Sequence, residues 1–328
     1  MPGLQSSANA LAEFVNRPAI SSVTRRCANY KQIDKGLAVT WWVKGMFRFL
    51  SAWPLWALHA LGWLGGWLTF VASARYRARL LAHAAQAGLS AAQTRRSVGE
   101  AGKMMAEIPR LWLGQPVPIQ WQGDAAIEQA QSQGRGLLLM TPHMGCFEII
   151  AQAYAQRFGQ QQPITVLFRP ARQAWLQDWV ANARLRPNLH TAPTNLTGVK
   201  QLIKALKAGQ TVGLLPDQVP PEGQGVWAPY FGRPAYTMTL SARLAHSGQA
   251  VPVLLWGERL PWGRGYVVHV HTVGMPGGEA LSTDAQTAAA QINAAMEVLV
   301  RERPDQYLWS YARYKSPKGA AVVADTAG

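Results

Sequence analysis

Charge is scarce in this chain. Asp, Glu, Lys and Arg make up only 15% of its 328 residues, against a typical ~25%. Between Arg48 and Arg75 there is none at all. Acids are the rarer sign, with 17 Asp and Glu against 32 Lys and Arg, giving a formal net charge of +15. Cysteine is limited to Cys27 and Cys146, which excludes a disulfide framework and a cysteine-based metal spacing and fits a reducing compartment. No G-x-S-x-G elbow is present, so no activated serine is indicated. No internal repeat occurs. Zinc-finger, RNP and helix-turn-helix patterns are missing too, and the basic residues are spread rather than striped, so a pI near 10.3 does not indicate a nucleic-acid partner.

What the chain has in their place is apolar surface. Hydrophobic residues make up 48%, and there are 14 Trp. A basic, Trp-rich protein with little charge suits an anionic membrane surface. Trp41, Trp42, Trp53, Trp56, Trp63 and Trp67 crowd the uncharged stretch, as interfacial anchors do. A spanning helix needs ~20 apolar residues, but Pro54, His59 and the set Gly62, Gly65 and Gly66 weaken a single straight span. Lys44 and Arg48 precede the stretch; Arg75, Arg77 and Arg79 follow it. Basic flanks on both sides fit an in-plane or re-entrant anchor as well as a single pass, and a span would leave the main body on the cytoplasmic side. A cleaved signal peptide ending at Ala72-Ser73-Ala74 is the rival reading, but its apolar core is too long against ~7–15 residues.

The expected organisation is a poorly ordered extension at 1–45, with Met46 as an alternative start, then a membrane-anchoring segment at 46–75. One domain follows at 76–315, and a frayed tail at 316–328. Residues 76–113 read as helical, interrupted near Gln93 to Ser97. Strands are expected at Val117 to Trp121, Gly136 to Met140, Ile164 to Phe168, Thr211 to Leu215, Ala250 to Trp256 and Tyr266 to Thr272. Helices are expected at Phe147 to Phe158, near Gln173 to Ala183, and at Thr197 to Ala208, Thr237 to Ser247 and Asp284 to Arg303. Strands alternating with helices indicate an α/β fold with a mostly parallel central sheet flanked by helices.

Thr141-Pro142-His143-Met144-Gly145-Cys146-Phe147-Glu148 joins one of these strands to a helix, at the sheet edge where α/β folds bind ligands. Five residues separate His143 from Glu148, about 140° apart on one continuous helix. With His143 ahead of the helix and Glu148 in its first turn, the carboxylate can reach back and hold the imidazole for general-base work. The same residues also read as a histidine at a helix start with an ordinary first-turn acid. A Cys146–His143 nucleophile is a third reading, although Cys146 also suits small apolar packing. Two further strand ends carry candidate binding groups. Arg169, in Phe168-Arg169-Pro170, has the fork that matches phosphate. Asp217, in Pro216-Asp217-Gln218, is placed to orient a donor or a substrate hydroxyl, or is simply a turn residue.

Taken in order, His143-x4-Glu148, Phe168-Arg169-Pro170, Pro216-Asp217-Gln218, Tyr230-Phe231-Gly232-Arg233-Pro234-Ala235 with Thr237, Arg243-Leu244-Ala245 and Val251-Pro252-Val253 resemble the lipid A biosynthesis acyltransferases, a branch of the lysophospholipid acyltransferase superfamily. Pro304-Asp305-Gln306-Tyr307 with Trp309, Arg313 and Lys315 resembles that family's carboxyl-terminal signature. No single piece is specific; the ordered set is, and it runs from about Met46 to Lys315. The resemblance implies O-acyl transfer from an acyl-carrier protein or acyl-CoA thioester to a membrane glycolipid hydroxyl, on the cytoplasmic side of a bacterial inner membrane, without metal, nucleotide or acyl-enzyme. It assigns His143 as base, Glu148 as its orienter, and Arg169, Asp217, Gln218 and Arg233 to substrate binding. Backbone amides after Gly145 are expected to stabilise the oxyanion. Tyr311-Ala312 departs from the His and basic residue that many relatives carry before Arg313, which leaves the acceptor open between a lipid A precursor, a lysophospholipid and another envelope glycolipid. The non-enzyme alternative is a basic lipid-binding protein of the membrane surface.

Overall fold

A computed structural model describes residues 41–168 and 186–317. Its centre is a seven-stranded sheet in the order β1-β9-β8-β2-β5-β3-β4. Those strands are β1 (Ile119–Gln122), β2 (Leu137–Met140), β3 (Ile164–Phe168), β4 (Leu189–Pro193), β5 (Thr211–Leu214), β8 (Val251–Arg259) and β9 (Tyr266–Val273). β8, β2, β5, β3 and β4 run parallel; β9 is antiparallel to β8 and carries β1 parallel beside it. The mostly parallel sheet expected from the alternation of elements is present.

Leu137-Leu138-Leu139-Met140 is buried throughout, the signature of a strand covered on both faces. Side chains alternate across a strand, so Leu138 and Met140 join one core while Leu137 and Leu139 join the other. The second core is closed by α5 (Ala125–Ser132) and α6 (Phe147–Arg157), through Ile127, Ile150 and Tyr154. The first is closed by α2 (Ala74–Gln86), α3 (Ala91–Ala106), α7 (Leu196–Lys207), α8 (Leu240–Gly248) and α9 (Ala285–Glu302), which contribute Leu80, Val98, Leu202, Leu244 and Ile292.

Residues 41–51 are helical and lead to α1 (Leu55–Ala72), whose inner face of Leu55, Leu58, His59, Gly62 and Gly66 is buried. The glycines set that packing. A Cβ at Gly102 would lie 1.9 Å from the Gly62 carbonyl oxygen, and one at Gly66 2.3 Å from that of Val98, so α1 and α3 meet backbone to backbone. α4 (Ile108–Leu113) continues from α3.

Several expectations need correction. The break in 76–113 falls at Gly88, with φ +76°, between α2 and α3; residues 93–97 are continuous helix, started by a Ser90–Gln93 capping box. The Pro- and Gly-rich stretch after Gln218, for which no strand was expected, is not all loop. It contains β6 (Gly225–Tyr230), paired antiparallel with β7 (Arg233–Met238), and β7 takes Thr237 and Met238 from the start of the expected helix. β4 was not expected. The helix expected near Gln173 to Ala183 lies outside the described residues, as does Arg169.

Candidate active site

Register brings the site together. Met140 of β2 pairs with Leu214 of β5 in parallel, so three residues onward in each chain His143 and Asp217 emerge side by side at the carboxyl edge of the sheet. The His143 Nδ1 lies 2.7 Å from Asp217 Oδ1, and the His143 backbone N–H donates to Asp217 Oδ2 at 2.8 Å. With Nδ1–H donating to the carboxylate, Nε2 carries the lone pair, and the Gln218 side-chain amide sits against it at 2.9 Å. The imidazole side chain keeps 16% exposure, whereas Asp217 keeps 2%. Phe147 covers one side of the ring, with centroids 4.9 Å apart. Burial alone would raise the Asp217 carboxyl; the His143 charge and hydrogen bonds, with Arg313 beyond them, outweigh it and hold it below its usual value.

Glu148 faces elsewhere. The helix begins at Phe147, which places Glu148 in the first turn beside α4, and Glu148 Oε1 accepts the Trp112 indole N–H at 2.9 Å. The group expected to orient the imidazole is therefore replaced in that position by Asp217, a partner 74 residues away in the chain. Arg233, at the start of β7, lies over the Tyr314 ring at 5.1 Å, and none of its described contacts reaches His143. His143, Asp217 and Gln218 are brought together; Glu148 and Arg233 are directed to other partners.

The turn itself is held on every side. Gly145 has φ +53°, and a Cβ there would lie 1.9 Å from the Gly257 carbonyl oxygen, so only glycine fits. The Gly145 N–H donates to the Gln306 carbonyl and the Cys146 N–H to the Gly257 carbonyl, at 2.9 and 2.8 Å. These two amides are thus already committed, so Cys146, the first of the amides after Gly145 that were expected to stabilise an oxyanion, is engaged within the fold. The His143 carbonyl accepts from the Leu308 N–H at 3.1 Å. The stretch Pro304-Asp305-Gln306-Tyr307 thereby forms the floor of the turn.

A buried ion cluster lies below, and the sequence reading missed it. β8 runs past the end of β2 and delivers Arg259, whose guanidinium donates to both Glu107 oxygens at 2.8 Å, to Glu100 at 2.7 Å and to the Gly145 carbonyl at 2.8 Å. Tyr266 Oη donates to the same Glu107 carboxylate, and His59 Nε2 of α1 lies 3.2 Å from it. Burial would raise the Glu107 carboxyl, but the Arg259 charge and hydrogen bonds, joined by His59, pull it down to about 2. Burial also pushes the Cys146 thiol well above its ordinary value, with Glu107 adding to the effect. A thiol kept protonated and enclosed is unsuited to nucleophilic attack. The only sequence signals for this cluster were an acid inside an apolar helical run and an arginine closing an apolar strand.

Tyr311, the departure noted in the sequence, accepts the Val219 N–H on its hydroxyl at 2.9 Å and so props the loop that carries Gln218. A cavity of about 520 Å³ opens along the outer side of α6, lined by Val117, Ile149, Gln152, Gln156 and Arg186 among others; His143 is not in its wall. Among the described residues no group of three or more His, Cys, Asp or Glu is gathered to hold a metal ion.

Comparison with known proteins identifies the family of this chain. The family described as bacterial lipid A biosynthesis acyltransferase matches residues 34–316. The chain is 33% identical to the lipid A biosynthesis lauroyltransferase of Escherichia coli (strain K12) over 198 residues, 59% of this chain and 61% of that protein. It is 28% identical to the palmitoleoyltransferase of the same organism over 195 residues, 58% and 59% of the two chains. To the myristoyltransferase the identity is 26% over 229 residues, 68% of each. The matched stretch thus spans about three-fifths of the first two relatives. On the family match, which takes in the His143 turn, the Asp217 loop and the carboxyl-terminal floor together, this chain belongs to the bacterial lipid A biosynthesis acyltransferase family.

Proposed function

We propose that this protein transfers a fatty acyl chain from an acyl-carrier protein thioester to a hydroxyl of a lipid A precursor, at the cytoplasmic face of a bacterial inner membrane. The observation that carries the reading is the His143 imidazole, held through Nδ1 by the buried Asp217 carboxylate with its Nε2 lone pair turned toward Gln218 at the sheet edge. An acceptor hydroxyl that displaces the Gln218 amide gives its proton to Nε2. Its oxygen attacks the thioester carbonyl carbon; the tetrahedral intermediate collapses, the C–S bond breaks, and the carrier's thiolate leaves and takes the proton back from the imidazolium. Asp217 keeps the ring in the tautomer that accepts the proton and stabilises the cation that forms. No acyl-enzyme is needed, in keeping with the enclosed Cys146 thiol.

Acyl-CoA is the alternative donor, and the chemistry at the carbonyl is the same. Glu148 acts through Trp112 on the helix start, and Arg169 meets the acceptor's phosphate. Names of relatives that specify lauroyl, palmitoleoyl and myristoyl transfer support the acyl class and leave the chain length open. The test is mass spectrometry of lipid A from cells with the protein, without it, and with His143→Ala. Loss of one acyl chain without the protein, restored by the wild type but not by His143→Ala, is expected. Unchanged lipid A in all three would remove the glycolipid acceptor from the reading.

A further inference from the structure

Trp262 stands out from the rest of the chain. It lies at the tip of the β8–β9 hairpin with φ +61° and 86% of its surface exposed. A bulky residue in the left-handed region is strained, and strain persists where surrounding structure or function requires it. Here no intramolecular burial offsets it. The hairpin is closed by the Leu260 N–H donating to the Gly265 carbonyl at 3.0 Å. At its tip Gly263, φ +68°, has room only because it lacks a side chain: a Cβ there would meet the Trp56 backbone nitrogen at 2.3 Å. The tip is therefore seated against the first turn of α1.

The outer face of α1 continues the same surface. Trp56, Leu61, Leu64, Leu68 and Val71 are all exposed, and no charged residue interrupts them. Only 28% of this helix is buried, so it is not a core helix. Its inner face lies on α3, however, with the Gly62–Gly102 and Gly66–Val98 backbone approaches fixing the contact. α3 carries Arg95, Arg96, Glu100 and Lys103, and the first two are exposed. Glu100 is paired with Arg259 and Lys103, but if α1 crossed a bilayer the exposed Arg95 and Arg96 would enter hydrocarbon alongside it, and the surface pair of Arg96 with Asp305 does not offset the cost of burying both. A helix lying in the interface plane keeps them in water and still buries the Trp and Leu face. Exposed Arg48, Arg75 and Arg264 rim that face, a pattern matched by anionic lipid headgroups.

We propose that Trp262 is a second membrane-inserting element, which enters a bilayer of anionic phospholipid together with the outer face of α1, and that α1 lies along the membrane surface and does not cross it. The proposal rests on the membrane location proposed above and adds which elements insert and at what depth. It also links the helices at the lipid surface to the start of α6, the helix that follows the His143 turn. The ring of Phe47, in the helical stretch 41–51, packs 6.2 Å from Trp112, the residue bonded to Glu148 at the start of the catalytic helix.

The test uses the full chain with Cys27→Ser and Cys146→Ala, and single cysteines at Trp262→Cys, Leu61→Cys, Leu64→Cys, Leu68→Cys or Val71→Cys carrying an environment-sensitive fluorophore. Each is mixed with vesicles of phosphatidylethanolamine and phosphatidylglycerol that hold a spin label at the headgroup or mid-chain. All five positions are expected to be quenched most by the shallow label, at similar depth. Trp262→Ser is expected to weaken flotation with these vesicles roughly tenfold, about 1.4 kcal/mol. Depths that pass through the bilayer centre from Leu61 to Val71 would show a spanning helix and overturn the in-plane claim. A protein that floats while the label at 262 stays unquenched would show that the hairpin faces water or a protein partner and does not insert. A wild type that does not float with any vesicle would instead overturn the membrane location itself.

Discussion

Exchange of Asp217 for Asn separates the observed geometry from the His-x4-acid expectation. In the native site one carboxylate accepts both N–H groups of His143, at 2.7 Å from the ring and 2.8 Å from the backbone. Asn offers one acceptor and one donor, so one of those two N–H groups is left facing an NH2. A charge-assisted hydrogen bond contributes about 1.5–3 kcal/mol, and the imidazolium formed in the transition state loses its counter-charge as well. Together these amount to roughly 2–5 kcal/mol at the transition state, or about 30-fold to several thousand-fold in kcat at ~1.4 kcal/mol per tenfold. That sits within the ~10²–10⁴ range of positioned acid–base groups. Glu148→Gln retains an oxygen for the Trp112 N–H and is expected to cost less than tenfold. The assay is transfer of a radiolabelled acyl chain from acyl-carrier protein to a purified lipid A precursor, with kcat and KM separated and melting temperatures measured for each variant. The loss in Asp217→Asn should fall on kcat, with KM nearly unchanged. A dead Glu148→Gln beside an active Asp217→Asn, both folded, would refute the assignment of Asp217 as the positioning residue.

Glu107→Gln and Arg259→Met should each destabilise the fold by about 3–5 kcal/mol, because each leaves a buried charge without its partner; chemical denaturation reads this directly. The Glu107 carboxyl is held down from 4.5 to about 2, so its ionisation contributes on the order of 3 kcal/mol that is fully present above pH 4.5 and lost as pH falls through 2; Glu107→Gln should flatten stability across that window, and an unchanged acid profile would refute it. Cys146→Ala should leave kcat within about twofold, since the proposed base step does not use the thiol; an inactive but folded variant would restore the thiol mechanism. Arg169→Ala should lower turnover about 10–150-fold with a phosphorylated acceptor and only weakly with a dephosphorylated one, for a charge-assisted bond of ~1.5–3 kcal/mol, and Arg169→Lys should recover part of it. Equal losses on both acceptors would show that Arg169 serves the thioester, the carrier or the fold.

The sequence by itself determined the parts whose signals are local. β3 and β5 fall within a residue of the expected runs Ile164 to Phe168 and Thr211 to Leu215, because buried strands of a parallel sheet carry no charge and, here, no polar residue other than Thr. The helix from Asp284 to Arg303 declares its apolar period and its Asp284 cap. Pro142 and Gly145 marked the turn that holds His143, and the ordered motifs marked the family. The β6–β7 hairpin stayed hidden because Pro229 and Pro234, which sit opposite each other in it, read as breakers; a two-stranded pair with free edges tolerates them.

Tertiary structure alone decided the partnerships. Glu148 is five residues from His143, yet the start of a helix turns it to Trp112. Asp217 is 74 residues away, and the β2–β5 register sets it against the imidazole. Glu107 and Arg259, 152 residues apart, meet because β8 outruns β2 and α3 packs glycine to glycine on α1. Strand order and register fix which distant side chains share an edge. They follow from how the whole chain buries its apolar faces, a balance that no short stretch of sequence records.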